Sequence, residues 1–263
     1  MRDRVRTALA ALAALALAAV TAGPTPAMAR AAHAERSPQP ASSTKAPVDL
    51  DISGSPSPVV AQLGDWAVAS GDNQGRPFIV IDKPAAEVFV FDAGGALLGS
   101  APALLGSALG DDSAPGIGDL ELADIPLDQR TTAAGRFIAH LGPAKGMSSV
   151  LWVDFSTALS MHPVITSNPD EHRLQRLTSP SPDDRRITHG CINVPARFYR
   201  DIVRKTFTST EAVVYILPDV KPLGEVFPQF GLQQARAAKT RHHSHGTWGE
   251  SIATTLGADA SLF

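Results

Sequence analysis

Apolar positions along this chain fall into short runs rather than long helical stripes. Phe78–Asp82 and Glu87–Phe91 are five-residue runs rich in β-branched and aromatic side chains. Asp92-Ala93-Gly94-Gly95 then supplies a turn, and the apolar run resumes at Ala96-Leu97-Leu98. Strand, turn and strand is the reading, because such runs bounded by Gly and Asp favour hairpins. Further strands are predicted over 136–141, 150–155 and 212–217. One stretch follows a helical period instead. Pro195 suits a first helical position, where its missing N–H is not needed. Tyr199, Ile202 and Val203 share one face beyond it, and Arg197, Arg200 and Arg204 the other. The expected fold is mainly β with few helices, a single domain with a helix soon after residue 195.

The two ends read differently. Residues 30–65 are rich in Pro, Ser and Ala and poor in aromatics, a composition that buries too little surface to order itself, so a disordered linker is expected there. Residues 221–263 are expected to be a largely disordered tail. It carries His242-His243-Ser244-His245, but no carboxylate or cysteine stands nearby at ligand spacing, so no metal site is expected. The domain is therefore placed at 66–220, a length that supports one core.

At the start, Arg2, Arg4 and Arg6 precede an apolar stretch from Ala8 to Val20, followed by Ala27-Met28-Ala29. A basic head, a short apolar middle and a small-x-small end make a cleavable secretory signal over residues 1–29. The apolar stretch is shorter than the roughly 20 residues a membrane span needs. Export across the inner membrane to a periplasm or cell wall follows, with no membrane insertion after cleavage. Removing three arginines and one aspartate from totals of 23 and 26 leaves 20 basic and 25 acidic residues, a net charge of −5. A chain of that charge lacks the basic stripe of a nucleic-acid binder.

The candidate chemistry is concentrated at one place. Cys191 is the only cysteine of the 263 residues and lies in Ile187-Thr188-His189-Gly190-Cys191-Ile192-Asn193. An exported chain with one cysteine builds no internal disulfide, so the thiol is buried, intermolecular or reactive. A thiol becomes a nucleophile as thiolate, and an imidazolium or a helix N-terminus lowers its pKa from about 8.5. His189 and the helix near Pro195 are the local sources. Gly190 clears space beside the sulfur, and the amides of Gly190 and Cys191 are candidate oxyanion donors. The chemistry this allows is acyl transfer through a thioester; the alternative is an inert core cysteine.

Thr188-His189-Gly190-Cys191-Ile192-Asn193 resembles the Ser/Thr-His-Gly-Cys signature of the L,D-transpeptidase catalytic-domain family. The stretch 78–96 resembles the family's opening strands. Thr131-Thr132-Ala133-Ala134-Gly135-Arg136-Phe137 resembles its Thr-Pro-x-Gly-x-Phe segment, with Ala133 in place of proline. The likeness runs over about 75–218. It implies a β-sandwich catalytic domain and a cell-wall enzyme that acts on peptidoglycan stem peptides without metal or organic cofactor; a monomer is expected. Cys191 would release D-alanine from a tetrapeptide stem and pass the acyl group to an amine, giving a 3–3 cross-link. With water as acceptor the same site is an L,D-carboxypeptidase or another peptidoglycan amide hydrolase. A non-catalytic wall-binding module is the reading from a different class.

The family's base is an upstream histidine, and two candidates stand here. His172 has the usual spacing to Thr188 but lies in the charged run Asp170-Glu171-His172-Arg173. His162, in Leu159-Ser160-Met161-His162-Pro163-Val164, has the apolar context of the family base and follows a predicted strand, although Pro163 replaces the usual glycine. Context favours His162, with His172 as the alternative. Thr188 and Asn193 are expected to contact substrate, and Asn193 alternatively to cap the following helix. Arg176, Arg185 and Arg186 are candidate grips for stem carboxylates.

Overall fold

The computed structural model describes residues 54–238. The expected signal, most of the linker and the cluster from His242 to His245 lie outside the described residues. From the N-terminal side the chain forms α1 (Pro58–Ser70), β1 (Phe78–Asp82), β2 (Glu87–Phe91), β3 (Leu97–Pro102) and β4 (Leu105–Gly106). A long connection with three short 3-10 turns leads to β5 (Gly135–Ala144), β6 (Met147–Asp154) and β7 (Leu159–Pro163). Then come α2 (Arg173–Leu177), β8 (Arg186–Thr188), β9 (Ile192–Val194), α3 (Ala196–Phe198), a π-helical turn (Tyr199–Val203), α4 (Arg204–Phe207), β10 (Ala212–Ile216) and α5 (Leu223–Val226).

Eight strands form one sheet in the order β3-β2-β1-β10-β5-β6-β7-β9, and β4 pairs with β8 in a second, two-stranded sheet. The fold is thus mainly β with a few helices. Where a sandwich predicts two separate sheets, a single hydrogen-bonded order runs through β5. That strand pairs with β10 over residues 135–139 and with β6 from His140 onward. Its two halves face a common core, with Ile79, Ile81 and Val214 from one half and Leu151, Met161, Ile192 and Val194 from the other. The helical run after β9 closes that core with Phe198, Tyr199, Val203 and Phe207.

The strands β1 and β10 are buried along their whole length. Their other face, Phe78, Val80, Val213 and Tyr215, packs under α1 and the C-terminal helical residues. Burial on both faces is why these strands read as unbroken apolar runs rather than alternating ones.

Both expected disordered flanks need correction. Residues 58–65, assigned to the linker, belong to α1. Ser57 Oγ accepts from Val60 N, Pro58 takes the first turn, and Gly71 ends the helix at φ 73°. The apolar positions Val60, Leu63, Trp66 and Ala67 make one buried stripe, which the surrounding Pro and Ser masked in composition. Past residue 220, α5 and the helical stretch 228–238 are ordered, with Phe227 and Phe230 in the same second core. Pro195 is the N-cap of α3 rather than its first residue.

Candidate active site

The strand β7 alternates, so Leu159 and Met161 enter the core while Ser160 and His162 share the opposite face. The strand β9 lies parallel to it, with Met161 opposite Ile192, His162 opposite Asn193 and Pro163 opposite Val194. One residue back along both strands, Ser160 meets Cys191: Oγ and Sγ are 3.5 Å apart. Four side chains therefore form a small square on one sheet face, Ser160 and His162 on β7, Cys191 and Asn193 on the entry to β9 and on β9 itself.

His162 is nearly buried, at 6 % exposure, and both ring nitrogens are engaged. Nδ1 is 2.9 Å from the Pro163 carbonyl, which only accepts, so Nδ1 carries the proton. Nε2 then presents a lone pair, and Asn193 Nδ2 donates to it at 3.1 Å. Asn193 is fixed in that sense because Arg173 Nη1 donates to its Oδ1 at 2.6 Å. The ring is thus held as the tautomer with Nε2 basic.

Cys191 is half-buried, and its Sγ also lies 3.6 Å from the Ala158 carbonyl. Burial pushes the thiol up, but the His162 hydrogen bond and charge, with bonds from Ser160, outweigh it and hold the thiol below its ordinary value. Ser160 Oγ and the Ala158 carbonyl are the other polar neighbours of Sγ, while Asn193 Nδ2 donates to Nε2 and must give way before that atom takes the thiol proton.

The turn before Cys191 is shaped by Gly190, at φ 131°, where a Cβ would lie 2.8 Å from the Thr131 carbonyl. Thr188 Oγ1 donates to the Cys191 carbonyl at 2.7 Å and accepts from Gly190 N at 3.1 Å. The Gly190 amide is therefore committed to Thr188, which corrects its expected part in an oxyanion hole and leaves Cys191 N–H as the donor of that pair. Thr188 is buried and shapes the loop from within.

Two expected activators are less favourable for the sulfur than the sequence suggests. The helix begins at Ala196, five residues on and across the extended strand β9. That is roughly 15 Å at strand rise, and a helix terminus acts within its own first turn. His189 is half-buried, and burial first, then Arg130 and Arg173, push its pKa below the usual value against the pull of Glu171. His189 therefore holds a positive charge less readily than an ordinary imidazole, which weakens its expected pull on the thiol. His189 instead lines a partly enclosed cleft of about 40 Å³ beside Cys191, with Ile117, Leu120, Ile125 and Leu159 as apolar walls. A larger cleft of about 740 Å³ opens between Trp66, Asp72 and Arg136, and contains neither Cys191 nor His162.

Of the remaining sequence candidates, His172 is exposed in a left-handed conformation at φ 49° between a 3-10 turn and α2. The structure brings His162, not His172, to the thiol. Arg176 donates to the Glu171 and Asp184 carbonyls. Arg186 grips Asp219 through both terminal nitrogens, at 3.0 and 2.6 Å. Arg185 is buried on the Ala85, Ala86 and Ser179 carbonyls. All three guanidinium groups are thus bonded within the protein.

Ser160 and Arg173 escaped the sequence reading. Ser160 was findable, because it lies two residues before His162 on a strand and so shares its face. Arg173 was not, since its approach to Asn193 depends on the fold of residues 164–172.

No family model and no curated protein matches the chain. Among solved structures it is similar to the NMR structure of the catalytic domain from an E. faecium L,D-transpeptidase. The identity is 15 %, covering 54 % of this chain and 98 % of that one, with a TM-score of 0.32.

Proposed function

We propose that this protein is a cysteine acyltransferase of the bacterial cell wall, an L,D-transpeptidase acting on peptidoglycan tetrapeptide stems. The observation that carries the reading is the parallel register of β7 and β9, which seats Cys191 and Asn193 beside Ser160 and His162. The segment Thr188-His189-Gly190-Cys191, which resembles the family signature, falls in the loop that presents the thiol to the cleft.

The chemistry follows from the tautomer. Nε2 of His162 takes the thiol proton as Sγ attacks the carbonyl carbon of the donor amide, displacing the bond from Asn193. The carbonyl oxygen becomes an oxyanion facing the Cys191 amide; one preorganised donor of this kind contributes about 100- to 1,000-fold. Collapse breaks the C–N bond, and the imidazolium returns its proton to the leaving amine of D-alanine. A thioester remains on Cys191. An amine from a second stem, deprotonated by the same Nε2, attacks the thioester, and the thiol is regenerated with the new amide. The basic leader expected at residues 1–29 supports placing this reaction outside the inner membrane.

Incubation of the protein with a purified disaccharide-tetrapeptide tests the proposal through its products. Tripeptide-linked dimers with free D-alanine are expected, absent with Cys191→Ala. Free tripeptide alone identifies the hydrolase instead, and unchanged substrate would refute both.

A further inference from the structure

We propose that Arg173 is a positioning residue: by orienting Asn193 it selects the tautomer of His162 and thereby decides which ring nitrogen receives the Cys191 proton. The catalytic consequence rests on the acyl-transfer reading above; the structural relationship does not.

The argument is one of donors and acceptors. A guanidinium only donates, so the Asn193 atom that meets Arg173 Nη1 at 2.6 Å is its oxygen. The Asn193 amide nitrogen must then face His162, and it does, 3.1 Å from Nε2. An amide nitrogen donates, so Nε2 has to be unprotonated. The proton is on Nδ1, where the Pro163 carbonyl accepts it at 2.9 Å. Each link forces the next, and the first is the arginine. Asn193 itself is 1 % exposed.

Arg173 is anchored for this task. Its Nε pairs with Glu171, and its side chain is 12 % exposed. Among the neighbouring charged and titratable groups, Cys191 interacts with His162, Arg173 pairs with Glu171, and His189 feels Arg130, Arg173 and Glu171. None of the others reaches Asn193 Oδ1.

Without the guanidinium, Asn193 can rotate by half a turn and offer Oδ1 to Nε2. Oδ1 then competes with the Pro163 carbonyl for a ring proton: Nε2 carries one, and the ring either gives up its Nδ1–H or keeps both. In either case Nε2 has no lone pair for the thiol proton.

The test uses the full chain with ¹⁵N-labelled histidine, the His162 resonances being assigned with His162→Gln. In the wild type Nδ1 is protonated and Nε2 bare near neutral pH. In Arg173→Met the protonated signal moves to Nε2, and Arg173→Lys, which keeps a donor, restores the wild-type pattern. Asn193→Asp, which only accepts at that position, reproduces the Nε2–H signature with Arg173 intact. Turnover of the tetrapeptide by Arg173→Met falls about tenfold or more in kcat with KM unchanged, and the acidic limb of its pH profile moves to higher pH. A bare Nε2 in Arg173→Met together with an unmoved acidic limb overturns the proposal. A proton moved to Nε2 in a protein with no turnover on any stem sustains the positioning role and removes the transpeptidase reading instead.

Discussion

Thr132 Oγ1 donates to the Gly190 carbonyl at 2.7 Å across 58 residues of sequence, and accepts from Gly106 N at 2.9 Å. This one hydroxyl ties the end of the long connection before β5 to the loop that carries the nucleophile. Behind it stands a buried ion cluster. Lys83 Nζ donates to the Gly110 and Thr132 carbonyls and to Asp111 Oδ1, at 2.7, 2.8 and 2.7 Å, and lies 3.2 Å from Asp219. The backbone of Gly190 is therefore held from below by an arrangement that contains no catalytic group.

Loosening that hold should lower stability and activity together. Thr132→Val leaves a buried amide and a buried carbonyl without their partner, at a cost of about 1–3 kcal/mol. Gly190→Ala meets both a left-handed backbone and the Thr131 carbonyl, and about 1–3 kcal/mol of strain is expected from the backbone alone. Urea unfolding measures both. Wild-type stability in either variant contradicts the assigned role.

The ion cluster predicts an acid limit to stability. Burial alone pushes the Asp111 carboxyl up, but the bond from Lys83 and the amides of Lys221, Asp219 and Val220 hold it down at about 2, well below the usual carboxylate range. A depressed carboxyl contributes stability above its unfolded pKa and loses it as pH falls through the folded one. About 2 kcal/mol should therefore disappear between pH 4 and pH 2. Asp111→Asn should cost about 1–3 kcal/mol at neutral pH, because Lys83 and three backbone amides lose a charged acceptor while Asp219 still pairs with Lys83, and should flatten that acid limb. Urea midpoints across the pH range check both.

The boundary of the domain can be measured by truncation. A chain beginning at residue 66 lacks Val60 and Leu63, which are fully buried in the second core. Losing two such side chains removes about 4–8 kcal/mol, comparable with the whole stability of a typical domain. A chain beginning at residue 54 should unfold cooperatively, and one beginning at 66 should not.

Much of this architecture was legible because burial leaves a local signature. The runs Phe78–Asp82 and Glu87–Phe91 are strands with the bounds read from sequence. The cysteine loop stood out by residue type alone. What escaped depends on distant partners. Leu159–Pro163 is too mixed in composition to announce a strand, yet pairing with β6 and β9 makes it one. Residues 58–65 hid a helical stripe among prolines and serines. Arg186 looked like a ligand grip because its partner Asp219 is 33 residues away.

The choice between histidines is open to a direct chemical test. Since the His162 imidazole holds the thiol pKa down, His162→Ala should raise it and slow alkylation of Cys191 by iodoacetamide near neutral pH. The wild-type rate should return at higher pH, where the thiolate forms unaided. His172→Ala should match the wild type throughout. Alkylation slowed by His172→Ala and not by His162→Ala would reverse the assignment.

The central claim is that the Cys191 sulfur carries the acyl group in transit, and the intact mass of the protein reports on it directly. On mixing with a disaccharide-tetrapeptide at slightly acidic pH, the wild type should gain the mass of the donor minus D-alanine. That adduct should map to Cys191, be discharged by hydroxylamine and be absent from Cys191→Ala. Turnover of the stem without any such adduct, or an adduct on Cys191→Ala, would contradict the account.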